Sequence, residues 1–116
     1  MSRGLLTVFL LLLLMTSRVG AQAADSSFTL AVPLRGNTAA SLARIETIAM
    51  DLGAQLQTAR GGDRVMAAWS DGRQLSAQRV RRGTSGPILL EIICSTVQGG
   101  AEAMCRDVAQ RYARAK

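Results

Sequence analysis

Two cysteines place the strongest constraint on how this chain can fold, because Cys94 and Cys105 are its only cysteines and admit a single pairing. Cys94 lies in an apolar run over residues 88–97, where Ile92 shares its parity and therefore its face of a β-strand. Cys105 and Val108 share the apolar stripe of a segment with helical spacing. A disulfide between the two cysteines therefore predicts that this strand and this helix pack against each other.

The N-terminal segment supplies the oxidising context that a disulfide needs. Arg3 precedes an apolar run over residues 5–15, and the Ala-Gln-Ala tripeptide at residues 21–23 has the small-x-small pattern of a signal peptidase site. These features are typical of a secretory signal peptide, and we expect residues 1–23 to be removed by cleavage after Ala23. Disulfides persist in compartments outside the cytosol.

Other N-terminal signals fit this segment less well. The apolar run is shorter than the about 20 residues that span a bilayer, which disfavours a retained anchor. A lipoprotein needs a cysteine at the cleavage site, and the first cysteine is Cys94. Arg3 stands alone, so a twin-arginine signal is excluded. Abundant alanine, arginine and leucine with a single lysine favour a bacterial source, so we expect the protein in the periplasm or secreted.

The mature chain over residues 24–116 is expected to form a single domain, since its length is near the lower end of the usual range. The whole chain carries a formal charge of +6. Removal of Arg3 and Arg18 with the signal peptide leaves about +4 by simple charge counting. A basic surface attracts anionic partners such as membrane headgroups, lipopolysaccharide, polyanionic polymers or an acidic protein. Export disfavours nucleic acid as a partner.

Hydrophobic periodicity predicts an α+β fold with the order β-α-β-β-β-β-α. The strands are expected over residues 28–34, 54–60, 65–70, 74–81 and 88–97, and the helices over residues 38–52 and 101–114. This order is typical of a two-layer sandwich in which two helices cover one face of an antiparallel sheet.

Local signals predict how the elements begin and end. Asn37 is expected to cap the first helix and Gly53 to end it. Gly61 and Gly62 are expected in a turn. Asp71-Gly72 predicts a two-residue hairpin in which both central residues have positive φ.

In its layout the chain resembles the small helix-grip-type domains of accessory proteins in the outer-membrane β-barrel assembly machine. The matching pieces are the strand over residues 28–33, a helix closed by Leu52-Gly53, a hairpin-rich sheet and a closing helix from Ala101. The resemblance implies the two-layer architecture and carries over no functional residue. The lipid-bearing cysteine of those proteins has no counterpart here.

The composition argues against catalysis and against a metal or cofactor site. The chain has no histidine, which removes the commonest general base and the commonest transition-metal ligand. Of the eight acidic residues, Glu91 alone stands inside an apolar strand. It is either an acid with a perturbed pKa in a pocket or, as we expect, the partner of Arg73 or Arg79 on a neighbouring strand.

Two surfaces are predicted to bind a partner. A basic cluster at one end of the sheet is expected from Arg73, Arg79, Arg81 and Arg82. An apolar interface on the sheet face opposite the helices is expected from Leu89, Ile93 and Val97, together with Ala31. Trp69, beside Asp71-Gly72, is a further candidate for the interface. A neighbouring strand that covers the apolar strip is the alternative to an interface, and Trp69 is either an exposed anchor or a core residue.

These observations together predict a non-catalytic periplasmic protein that binds an envelope component or a protein partner. A secreted inhibitor or immunity-type protein is the second hypothesis, since a compact disulfide-bonded domain suits that role. An enzyme that uses Glu91 with an arginine is the third hypothesis.

Overall fold

A five-stranded antiparallel sheet is the centre of the structure, which is a computed structural model that describes residues 26–57 and 63–114. The elements in chain order are β1 (Ser26–Pro33), α1 (Thr38–Asp51), β2 (Gln55–Gln57), β3 (Arg64–Ala68), β4 (Gln74–Arg81), β5 (Ile88–Thr96) and α2 (Ala101–Arg114). The strand order in the sheet is β1-β5-β4-β3-β2. The predicted α+β architecture and element order are confirmed. The signal peptide and the turn at Gly61-Gly62 lie outside the described residues.

Alternation along the strands decides which side chains enter the core. On β5, Leu90, Ile92 and Cys94 are buried while the residues between them are half-buried. The register places Leu75 of β4 opposite Cys94 and Ala77 opposite Ile92, so the buried residues of neighbouring strands share one face. We call this the inner face. The other face, with the opposite parity, is the outer face.

Both helices cover the inner face. α1 packs on β2, β3 and β4 through an apolar stripe that includes Leu42, Ile45 and Ile48, and α2 packs on β1 and β5. The predicted disulfide is confirmed, since Cys94 on β5 is bonded to Cys105 on α2 with their Cα atoms 5.6 Å apart. Both cysteines are fully buried. The bond therefore fixes the strand–helix contact at the centre of the core.

The ends of α1 follow the predicted capping residues. The Asn37 side chain accepts a hydrogen bond of 2.7 Å from the backbone N–H of Ala40, which satisfies one of the free donors of the first turn. At the other end, the N–H of Gly53 donates to Met50 and the N–H of Ala54 donates to Ala49. Gly53 has φ +94°, which makes this end a Schellman motif.

The hairpin between β3 and β4 differs from the sequence prediction. The N–H of Gly72 donates to the carbonyl of Trp69, and the N–H of Trp69 donates to the carbonyl of Arg73. Among the described residues, positive φ occurs at glycines alone, so Asp71 has negative φ while Gly72 has φ +96°. The connection is therefore a three-residue loop with a glycine bulge and not the predicted two-residue turn. Dipeptide sequence alone does not separate these turns, since both need glycine at the last position.

A polar cluster ties α2 to the segment after β1. The hydroxyl of Tyr112, which is 1% exposed, donates to the carbonyl of Pro33 at 2.8 Å. The buried hydroxyl of Ser41 accepts from the N–H of Arg35 at 2.8 Å and donates to its carbonyl at 3.2 Å. The C-terminus of α2, the start of α1 and the end of β1 are therefore held together at one end of the molecule.

No helix within the described part of the chain is long and apolar enough to cross a membrane.

Candidate functional site

Arginines converge at the end of the sheet where β4 passes into β5. Arg79 and Arg81 have inner-face parity, but both are exposed, and Arg82 follows directly in the connecting turn. This turn is closed by a hydrogen bond of 3.2 Å from the N–H of Arg82 to the carbonyl of Pro87. Three guanidinium groups therefore come from four consecutive positions of the chain.

Tertiary structure brings two further arginines to the same end. Arg35 follows β1, whose last residue Pro33 lies opposite Leu89 near the start of β5. The Arg35 guanidinium donates to the carbonyl of Ala113 at 2.7 Å, so it caps the C-terminus of α2. Arg114 belongs to the last turn of the same helix and is exposed. We define the arginine end as the set of Arg35, Arg79, Arg81, Arg82 and Arg114.

Among the described residues, acidic side chains are unevenly distributed relative to this end. The three ion pairs among the described residues are Arg73–Asp71, Arg106–Glu102 and Arg111–Asp107. None of them involves Arg79, Arg81, Arg82 or Arg114. The opposite end of the sheet carries Asp71 in the β3–β4 hairpin, Asp51 at the end of α1 and Glu102 at the start of α2. Asp63, which continues the β3 register opposite Arg79, is an acidic residue at the arginine end. The five arginines outnumber it, so the two ends of the sheet differ in charge.

The sequence prediction placed Arg73 in the basic cluster, and this placement is wrong. Arg73 precedes β4, whereas Arg81 ends it, and eight residues in a strand separate the two ends by about 23 Å. The Arg73 guanidinium pairs with Asp71 at 3.0 Å and lies 4.8 Å from the centre of the Trp69 ring. The backbone N–H and the guanidinium of Arg73 both donate to Asp71 and lower the pKa of its carboxyl. Arg73 thus stabilises the hairpin at the acidic end.

Trp69 does not join the apolar interface predicted for the outer face. Its side chain is in the core and is 8% exposed, and its indole N–H donates to the carbonyl of Leu52 at 2.9 Å. This bond explains the burial, because a buried tryptophan requires a partner for its donor. Of the two alternatives left open by the sequence, the core position is the one observed.

Leu89, Ile93 and Val97 have outer-face parity, although Val97 lies just beyond β5. Leu89 and Ile93 are half-buried among side chains of neighbouring strands, whereas Val97 is 48% exposed. Val97 lines an open groove of about 410 Å³ at the acidic end, together with hydroxyl-bearing residues such as Ser27, Ser95 and Thr96. The three apolar residues therefore do not form one continuous exposed strip.

Glu91 does not pair with Arg73 or Arg79, so this prediction is wrong. Its carboxylate accepts a hydrogen bond of 3.4 Å from the side-chain amide of Gln78, its cross-strand neighbour on the outer face. Arg79 follows Gln78 directly and therefore points to the inner face. Arg73 lies at the far end of the strand. Once the register is known, the parity of β4 excludes both arginines as partners of Glu91, because Arg73 and Arg79 have inner-face parity whereas Glu91 lies on the outer face.

A metal centre has no basis in the described residues, where no three histidine, cysteine or acidic side chains lie close enough together to hold an ion. The fold and its surfaces define a small two-layer α+β domain with one strongly basic end. No family model, curated protein or solved structure matches the chain.

Gly86 shapes the turn that presents the arginine end. A Cβ atom at this position would overlap the carbonyl oxygen of Arg82, which belongs to the backbone and cannot rotate away. We expect Gly86→Ala to lower the free energy of unfolding by about 1–3 kcal/mol, because the turn must open to relieve the overlap. Thermal unfolding measures this change. Ser85→Ala in the same turn is the matched control, and equal melting temperatures for both variants would contradict the close approach.

Proposed function

We propose that this protein is an exported, non-catalytic protein that binds an anionic, phosphate-bearing component of the bacterial envelope through its arginine end. One observation carries the proposal: arginines from β4, the segment after β1 and the end of α2 lie at one end and outnumber Asp63 there, while Asp51, Asp71 and Glu102 lie at the other end. Guanidinium groups bind phosphate through charge-assisted hydrogen bonds. An electrically polarised molecule also orients itself as it approaches an anionic surface.

Two features support export as part of the proposal. The N-terminal residues 1–23 have the pattern of a signal peptide. The disulfide between Cys94 and Cys105 is of the kind that forms and persists outside a reducing cytosol.

The geometry around Glu91 supports a non-catalytic role. A general acid or base must lie within hydrogen-bond reach of the substrate proton that it transfers. Glu91 lies half-buried on a sheet face, where its carboxylate accepts a hydrogen bond from the neutral side-chain amide of Gln78. Binding through the arginine end also needs no reactive group.

The test uses protein expressed with its own N-terminal segment and purified from the bacterial periplasm. Its mass reports whether cleavage occurs after Ala23. Binding is then measured by co-sedimentation with phosphatidylcholine vesicles, with vesicles that also contain phosphatidylglycerol, and with lipopolysaccharide, while polyphosphate and inorganic phosphate serve as soluble competitors. We expect binding to the anionic vesicles or to lipopolysaccharide, which weakens as salt is added.

Two double variants remove the same charge from different places. R81Q/R82Q removes two charges from the arginine end. R73Q/R106Q removes two charges outside it, one next to the β3–β4 hairpin and one on α2. Each arginine near an anionic surface contributes about 1 kcal/mol, so R81Q/R82Q is expected to weaken binding by about 30-fold. R73Q/R106Q is expected to weaken it by a few-fold at most. Equal losses would show that net charge alone matters and would refute the arginine end as the site. Recovery of a stoichiometric acidic protein without binding to any phosphate-bearing probe would instead favour the inhibitor hypothesis.

A further inference from the structure

The outer sheet face carries very few charges for a protein with this composition. Along the described strands, the residues with outer-face parity are mainly serine, threonine, glutamine and apolar residues. Among the described residues of this face, Glu91 and Arg64 alone are charged. Depletion of charged residues is the compositional mark of the centre of a protein interface.

Glu91 and Arg64 lie in the same cross-strand row, on either side of the central strand. Gln78 of β4 is opposite Glu91 on one side and opposite Arg64 on the other. Two strand spacings separate the charged residues by about 10 Å, which is too far for a direct pair. Within the described residues, neither charge has an oppositely charged group within ion-pair distance.

We infer that the outer face binds the outer face of a second copy of this chain, around a twofold axis that runs along β4 in the plane of the interface. β4 is the middle strand of the five, so this rotation lays β5 of one copy over β3 of the other and β1 over β2. Positions along the strands do not change. Glu91 of each copy then faces Arg64 of the other, and both unpaired charges gain a partner.

The row through Ser76 also matches under the same rotation. Ile93 of one copy faces Met66 of the other, because Ile93 on β5 and Met66 on β3 both lie opposite Ser76 on β4. Ser76 and Gln78 lie on the axis and face their own counterparts. Sheet twist does not oppose this packing. The twist of a sheet tilts β5 and β3 in opposite directions relative to β4. After the rotation, β5 of the second copy has the same tilt as β3 of the first copy, on which it lies. The two faces therefore match in the charged pair and in this apolar pair, and their twist is compatible with the packing.

The rotation also has a consequence for the arginine end. Because positions along β4 are unchanged, the arginine ends of the two copies lie side by side at the same end of the dimer. Two linked sites that reach one surface together bind more tightly than either alone. The dimer does not depend on the proposed anionic ligand, since its contacts lie on a different face.

The first test exchanges the paired charges. The mass of the exported protein in solution is measured by light scattering over a range of micromolar concentrations. We expect a dimer that Glu91→Arg and Arg64→Glu each weaken by about tenfold or more, because each variant brings like charges together across the interface. The double variant E91R/R64E restores the opposite pairing and is expected to dimerise within about threefold of the original protein. Failure of the double variant to recover would overturn this geometry.

The second test uses single cysteines on the outer face. Gln78→Cys lies on the axis, so a bismaleimide reagent that spans about 8 Å is expected to join the two copies into a covalent dimer on a denaturing gel, because packed sheets lie about 10 Å apart. Thr29→Cys lies on the same face but opposite Gln57 of the second copy, so it serves as the matched control and is expected to stay uncrosslinked. The native cysteines are fully buried and do not compete. A monomeric mass at every concentration, or equal crosslinking of both variants, would overturn the proposal.

Discussion

Replacement of Tyr112 with alanine is expected to lower the free energy of unfolding by about 3–5 kcal/mol, because the ring is 1% exposed and its removal leaves a large cavity. The position also joins three elements. The hydroxyl donates to the carbonyl of Pro33, and the backbone carbonyl accepts from the guanidinium of Arg35 at 2.8 Å. A domain of this size has a total stability of about 5–15 kcal/mol, so the loss is a large share of it. Chemical denaturation at neutral pH measures the change.

Tyr112→Phe separates the cavity from the hydrogen bond. This variant keeps the ring and removes only the hydroxyl, so a loss of about 1–1.5 kcal/mol is expected. If Tyr112→Phe proved as destabilising as Tyr112→Ala, the hydroxyl and not the packing would dominate at this site. If neither variant changed stability, α2 would not be held against the end of β1 as described.

Removal of the disulfide is expected to cost about 3 kcal/mol. The bond closes a loop between positions 11 residues apart, and the chain-entropy relation gives this magnitude for a loop of that length. The double variant C94A/C105A tests it without leaving a free thiol in the core. Both side chains are fully buried, so lost packing adds to the effect.

The same prediction can be tested in the unmodified protein. Reduction under denaturing conditions followed by refolding in reductant is expected to give a similar fall in the denaturation midpoint. Protein without the bond that unfolds at the same denaturant concentration as the oxidised form would contradict a stabilising role. A loss in the double variant that exceeds the loss on reduction would measure the packing contribution of the two sulfur atoms.

Hydrophobic periodicity proved sufficient for the elements of this fold. The predicted bounds of β4 and α2 are those observed, and β5 ends one residue earlier than predicted. The alternating pattern of a strand and the helical spacing of a helix are both local features of the sequence. In this chain each element has one apolar face, so the pattern identifies the face that must be buried. The cysteine pair then fixed which strand meets which helix. The β3–β4 hairpin was the exception, because the φ of Asp71 depends on loop length and not on the dipeptide alone.

The surfaces were harder to predict than the elements. Arg79, Arg81 and Arg82 could be grouped because they are neighbours along the chain. Arg35 and Arg114 could not be added, since nothing in the sequence says that the end of α2 lies beside the end of β1. Arg73 was misplaced for the related reason that a hairpin turn and the next turn lie at opposite ends of their shared strand.

By itself, the sequence determined the order of strands and helices, the buried side of each element and the disulfide, because these follow from periodicity and from a unique pair of cysteines. Only the tertiary structure decided which arginines share an end, that Trp69 is in the core and that Glu91 and Arg64 lie in one row. These facts depend on strand register and on the positions of chain ends. Both arise from contacts between residues far apart in the sequence, which no local pattern records.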